Sequence, residues 1–115
     1  MPDQSKQPNR FTEFPHISHE HLQIMMKCMS ICASCAKMCI NEGHKKTAVL
    51  CNECADVCAL AIKLHSGDSE FNPDIMNLCS KVCARCAEEC GEMDAEHCQQ
   101  CSQICQECSE SCANE

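Results

Sequence analysis

The chain contains no tryptophan, no tyrosine, three phenylalanines, three glycines and four prolines. A core of ordinary aromatic bulk is therefore excluded. With so little glycine and proline, a scaffold built mainly of turns and loops is excluded too. The nine lysines and arginines are scattered among seventeen acidic residues, for a formal net charge of −8. A nucleic-acid partner needs a basic patch, and none is present. Residues 1–16 lack the apolar h-region of a signal peptide, and no stretch approaches the roughly 18 apolar residues of a membrane span. These absences lead us to expect a cytoplasmic setting and no membrane partner. At 115 residues the chain forms one domain at most.

What the sequence has instead is cysteine, at sixteen positions. The runs are Cys28, Cys32, Cys35, Cys39; Cys51, Cys54, Cys58; Cys79, Cys83, Cys86, Cys90; and Cys98, Cys101, Cys105, Cys108, Cys112. Within each run the steps alternate between three and four residues. Residues at that spacing share one helix face, and the alternation is that of a bundle seam. Thiols thus stand where a bundle would carry leucines. Side chains three or four apart on one helix lie nearly parallel, which suits a disulfide poorly. A reducing compartment that keeps these thiols free is the consistent reading.

Residues 1–16 carry Pro2, Pro8 and Pro15 and read as a flexible tail, with Phe11 and Phe14 docking on the outside of the fold. A first helix spans 17–42, with Ser18 as cap and Gly43 beyond its end. A second spans 45–65 and is closed by Gly67. Asn72-Pro73-Asp74 supplies a cap, a proline for the first helical position and an acid for the positive end of the helix dipole, so a third helix runs to 90 and stops at Gly91. Asp94 caps a fourth, ending near 113. Helices of about 20 residues are roughly 30 Å long, and short connections make neighbours antiparallel. The expected fold is all-α: an up-down-up-down four-helix bundle over 17–113 with a cysteine-lined core.

A second apolar stripe accompanies the cysteines: Ile24 and Ile31; Leu50, Val57 and Leu64; Ile75, Leu78 and Val82; Ile104. Ala33, Ala36, Ala55, Ala59, Ala84 and Ala87 leave room beside the sulfurs. Lys37, Lys63, Glu88, Glu89, Glu92 and Glu107 read as solvated faces. The segment Cys28–Cys39 matches Cys79–Cys90 in cysteine spacing and in both alanines, so the first and third helices are equivalent members of two stacked hairpins. Aliphatic burial this modest gives a marginal domain, which something bound should stabilise.

Sixteen thiolates in one core would repel one another and lose hydration, so they must stay protonated or be neutralised by cations. Structural zinc takes four ligands from turns that wrap the ion, and iron–sulfur clusters take loop cysteines. Straight helices offer pairs. Cu(I) is soft and favours thiolates, and at two thiolates per ion, each bridging two ions, the ratio approaches one Cu(I) per cysteine. A zinc or mixed-metal thiolate buffer is the alternative, and an iron–sulfur or redox protein a further one. No second cofactor motif or substrate pocket suggests an enzyme. Continued by the same steps, the seam reaches Met25 and His21 on the first helix, Ala61 and His65 on the second, and Met76 on the third. His44, Met93 and His97 lie at the opposite end. Histidine and methionine there suit a metal mouth or extra ligands, with the His21, Met25, His65 and Met76 end favoured by its register with the thiols.

Four helices directing Cys-x-x-x-Cys and Cys-x-x-Cys steps inward resemble the bacterial copper storage proteins of the cytosolic branch. The resemblance covers about residues 17–113 and rests on cysteine spacing. It implies a bundle filled with Cu(I)-thiolate sites, commonly a tetramer of bundles, that buffers copper and is not an enzyme. The second helix departs from an unbroken seam: it carries three cysteines, then Ala61 and His65.

Overall fold

The structure is a computed structural model that describes residues 13–115. Four helices follow one another: α1 (His19–Asn41), α2 (Lys45–Ser66), α3 (Asn72–Gly91) and α4 (Glu96–Ala113). Each helix packs on its chain neighbour, and α4 returns to α1, so the four form a ring. Sulfur contacts give the directions. Across α1 and α4, Cys28 meets Cys105, Cys32 meets Cys101 and Cys39 meets Cys98. Across α2 and α3, Cys51 meets Cys90, Cys54 meets Cys83 and Cys58 meets Cys79. Rising numbers on one helix face falling numbers on the other, so both pairs are antiparallel.

The first helix starts as its residues dictate. Ser18 is extended, and its hydroxyl accepts the His21 backbone N–H. Gly43, two residues beyond α1, has φ 84°, which places it in the left-handed region that an L side chain resists. Two caps differ from expectation. Phe71, not Asn72, is the cap residue of α3, so Pro73 falls one position further in. The Asn72 side chain makes no capping bond, and its Oδ1 is buried without a partner. Helix α4 begins at Glu96 with Ala95 as cap residue and Asp94 outside it. In place of a side-chain cap there, the amide N–H groups of Cys98 and Gln99 both donate to the Ala95 carbonyl.

The interior is nearly all sulfur and small side chains. Ala36, Ala55 and Ala87 are buried, four residues after Cys32, Cys51 and Cys83 and hence on their face. Ala33, Ala59 and Ala84 were expected beside the thiols but are exposed, since each lies about 100° past the preceding cysteine with no cysteine four residues back. Of the second stripe, Ile75 and Ile104 are buried, whereas Leu78 is exposed. Glu89 is not fully solvated as expected: it accepts the Thr47 hydroxyl across the α2–α3 seam and pairs with Arg85 one turn back on α3. Phe14 does not dock, with half its surface exposed, and Phe11 lies outside the described residues. The segment before α1 is anchored instead by buried Ile17 and by His16, which bonds the Ser66 carbonyl.

Contrary to expectation, α1 is long enough and apolar enough, with a window of mean hydropathy 1.2, to cross a membrane. Cysteine counts as apolar on a hydropathy scale, and four of the residues that α1 buries are cysteines of the seam. Its most apolar face is therefore already occupied inside the bundle.

Candidate metal centre

All sixteen cysteines are buried and free. Their sulfurs form a column along the bundle axis, with neighbouring Sγ atoms 3.3 to 4.0 Å apart. That is nearly twice a disulfide bond of about 2.05 Å and matches two thiolates sharing one ion. Near the middle, Cys28 Sγ lies 3.9 Å from Cys32, 4.0 Å from Cys83 and 3.9 Å from Cys105. The sulfurs gather in overlapping fours: Cys28, Cys32, Cys54 and Cys105; Cys28, Cys58, Cys83 and Cys108; Cys32, Cys86, Cys101 and Cys105. The ligand atoms of each group lie within 4.8 Å of one another. Shared members make these groups links of one chain of sites.

Burial and contacts between sulfurs set the protonation state together. Desolvation pushes the Cys39 thiol up to about 11 and raises Cys98 as well. Cys35 behaves differently: hydrogen bonding from Cys101 and Cys51, with a smaller contribution from His97, brings it down to about 6. Cys90 likewise falls to about 5 through sulfur contacts led by Cys101, so the column mixes thiols that ionise readily with thiols, such as Cys39 and Cys98, whose protons an incoming cation must displace.

At one end of the column, His21, His65 and Met76 come together as their register predicted. His21 Nε2 is 3.2 Å from Met76 Sδ, its Nδ1 is 2.6 Å from Ser111 Oγ, and its ring stands edge-on to His65 at 5.2 Å. His65 Nε2 accepts the Ser18 amide, and burial followed by the neighbouring His21 lowers its pKa. Met25, fully buried, belongs to the same core. Above His21 opens a cleft of about 550 Å³ whose walls carry Glu20, Glu107, Glu110 and Glu115. Ser111 and these acids were not legible in the sequence, because α1 and α4 bring them together across a gap of some 90 residues.

At the other end, His97 is the expected residue that meets the thiols. His97 Nδ1 lies 3.2 Å from Cys35 Sγ and 3.6 Å from Cys98 Sγ. Its Nε2 faces the Glu42 carboxylate at 3.0 and 3.1 Å. His44 is exposed at the start of α2 with no capping bond, and Met93 packs half-buried against the outside of the core. Glu42 is a further functional candidate the sequence did not reveal.

A helical bundle whose interior is a column of free thiols defines a class, the thiolate-lined binders of soft metal ions. Comparison with known proteins sharpens this. The family described as Csp, copper storage protein, matches residues 16–115, so the chain belongs to the copper storage protein family. A relative from Bacillus subtilis (strain 168), an uncharacterized cysteine-rich protein YhjQ, is 38% identical over 82 residues, covering 68% of this chain and 76% of that protein. Two solved structures are similar. The Cu(I)-bound copper storage protein BsCsp3 superposes with TM-score 0.80 at 36% identity, over 84% of this chain and 95% of that one. Apo-Csp3 (copper storage protein 3) from Bacillus subtilis superposes with TM-score 0.81 at 38% identity, over 85% and 97% respectively.

Proposed function

We propose that this protein is a high-capacity cytosolic store for Cu(I), holding several ions per chain through thiolates of the sixteen cysteines, near one ion per cysteine. One observation carries the reading: every cysteine of the chain is buried, free and part of one sulfur column. Monovalent ions suit that column, since each cancels the charge of one thiolate in a medium where uncompensated charge is costly. Free thiols in such number favour a reducing compartment. The storage unit is the bundle over 17–113. By family resemblance it assembles as a homotetramer, and its role is buffering, not catalysis. Similarity to the Cu(I)-bound BsCsp3 supports the choice of metal.

The test is an anaerobic titration of the fully reduced protein with Cu(I) against a chromophoric Cu(I) chelator, with protein quantified by its thiols. The chelator should stay empty until roughly one Cu(I) per cysteine has been added. Filling after one or two equivalents overturns storage.

Copper enters and leaves, in this reading, at the end formed by His21, Met25, His65 and Met76. The acidic cleft draws cations toward His21, and a thioether with an imidazole offers soft but weak ligands that release an ion to the thiols below. His21→Ala together with Met76→Leu should slow both loading and chelator-driven removal while leaving final capacity within about one ion of the parent. Unchanged stopped-flow rates in both directions would assign the mouth to another part of the bundle.

A further inference from the structure

We propose that residues 14–18 form a strap that closes the His21 end of the bundle, and that copper passes when Ser18 lets go of His65. Such a strap presupposes that this end is the copper mouth, and adds the part that opens it.

The mouth is shut in this structure. His21, Met25, His65 and Met76 expose 2%, 0%, 4% and 2% of their surface. An ion arriving in the acidic cleft meets covered ligands, so part of the cover has to move. At His65 that cover is Ser18, whose backbone N–H donates to His65 Nε2 at 3.2 Å. The bond takes up the imidazole lone pair with which His65 would bind a metal. A metal and the Ser18 amide cannot hold the same nitrogen, so His65 becomes a ligand only after the strap lifts. Ser18 also caps α1, its hydroxyl accepting the His21 N–H. Lifting it therefore loosens the turn that carries His21 as well.

The strap is built to move as a unit. Phe14-Pro15-His16-Ile17 is a tight turn closed by the Ile17 N–H on the Phe14 carbonyl at 2.9 Å. Proline suits the second position of such a turn. His16 Nε2–H donates to the Ser66 carbonyl at 2.9 Å and fastens the turn to the end of α2. Ile17 is buried between these two tethers and acts as the plug. Pro15 and His16 are exposed, so the strap lies on the bundle without joining its helical packing. The other connection at this end, 67–71, is tied back to α2: the N–H groups of Gly67, Asp68 and Ser69 donate to the carbonyls of Lys63, His65 and Leu64. Local opening favours segments whose hydrogen bonds lie exposed. The His16–Ser66 bond is exposed.

The test follows Cu(I) loading and chelator-driven removal by stopped flow in the reduced full chain. Pro15→Gly combined with His16→Ala frees the turn and removes one tether while changing only exposed side chains. Both rates should rise roughly three- to tenfold, the weight of one hydrogen bond, with capacity and affinity as in the parent. Ile17→Ala should raise both rates further. The apo unfolding midpoint of the double variant should match the parent, which separates a released strap from a weakened fold. Rates that match the parent in both variants, a rise in one direction alone, or a fall in capacity overturns the strap. The His21→Ala, Met76→Leu variant keeps the two readings apart. If it slows exchange while the strap variants change nothing, the mouth stands and the strap falls. If the strap variants speed exchange and it slows nothing, the strap stands and the mouth ligands fall.

Discussion

Loading the reduced protein with Cu(I) should raise its unfolding temperature by tens of degrees. Among the described residues the apo interior is mainly sulfur, alanine and methionine, with Ile17, Ile75 and Ile104 as its buried branched aliphatic side chains. Such a core buries little area per residue, and apolar burial is what sets the margin of a small domain. Each ion held at a thousandfold above its dissociation constant adds about 4 kcal/mol to the folded state, provided the unfolded chain binds it less well. One kcal/mol moves the midpoint of a domain this size by about 4 °C or more, so two or three tight ions suffice. Circular dichroism of the helices is the measurement, since the chain lacks tryptophan and tyrosine. The gain should shrink as pH falls, because every ion bound to a protonated thiol must displace a proton. Cys39, with its thiol held near 11 by burial, releases a full proton at neutral pH. A midpoint that stays within a few degrees of the apo value would show that the thiols do not bind copper as a core.

The second large effect is positional. Cys28→Ala should cost about two Cu(I), against about one for Cys39→Ala, because a thiolate that bridges two ions is a ligand to both. Cys28 belongs to two sulfur groups, with Cys32, Cys54 and Cys105 on one side and Cys58, Cys83 and Cys108 on the other. Cys39 sits at the rim, 3.9 Å from Cys35 and 3.7 Å from Cys98. Removing the Cys28 sulfur also leaves a small void at a fully buried site, costing the apo fold about 1 kcal/mol, as for one deleted buried methyl group. Stability therefore changes modestly while capacity changes by a disproportionate step. Equal losses for the two variants, read by the same chelator titration, would mean independent sites and no shared thiolates.

Much of this was legible in the chain itself. Alternating steps of three and four place a side chain on one face of a helix whatever surrounds it, so the cysteines alone determined four helices, a common seam and a soft-metal interior. Ser18 and Gly43 marked their helix ends because capping and left-handed backbone are local chemistry. The starts of α3 and α4 were less secure. Phe71 and Ala95 took the cap positions that Asn72 and Asp94 were expected to hold, and at α4 the Cys98 and Gln99 amides both bond the Ala95 carbonyl where a side-chain cap was expected.

Which thiols become neighbours, and what stands at the two ends of the column, follows from how the helices pack. The Ser111 hydroxyl beside His21 and the Glu42 carboxylate beside His97 come from sequence separations of 90 and 55 residues. No periodicity reaches that far. Helical spacing is a property of one chain segment, whereas the pairing of α1 with α4 depends on how two helices slide and rotate against each other. Residue spacing alone requires a core of sulfur; packing sets His21, His65 and Met76 together beneath an acidic cleft at one end and His97 against Cys35 and Cys98 at the other.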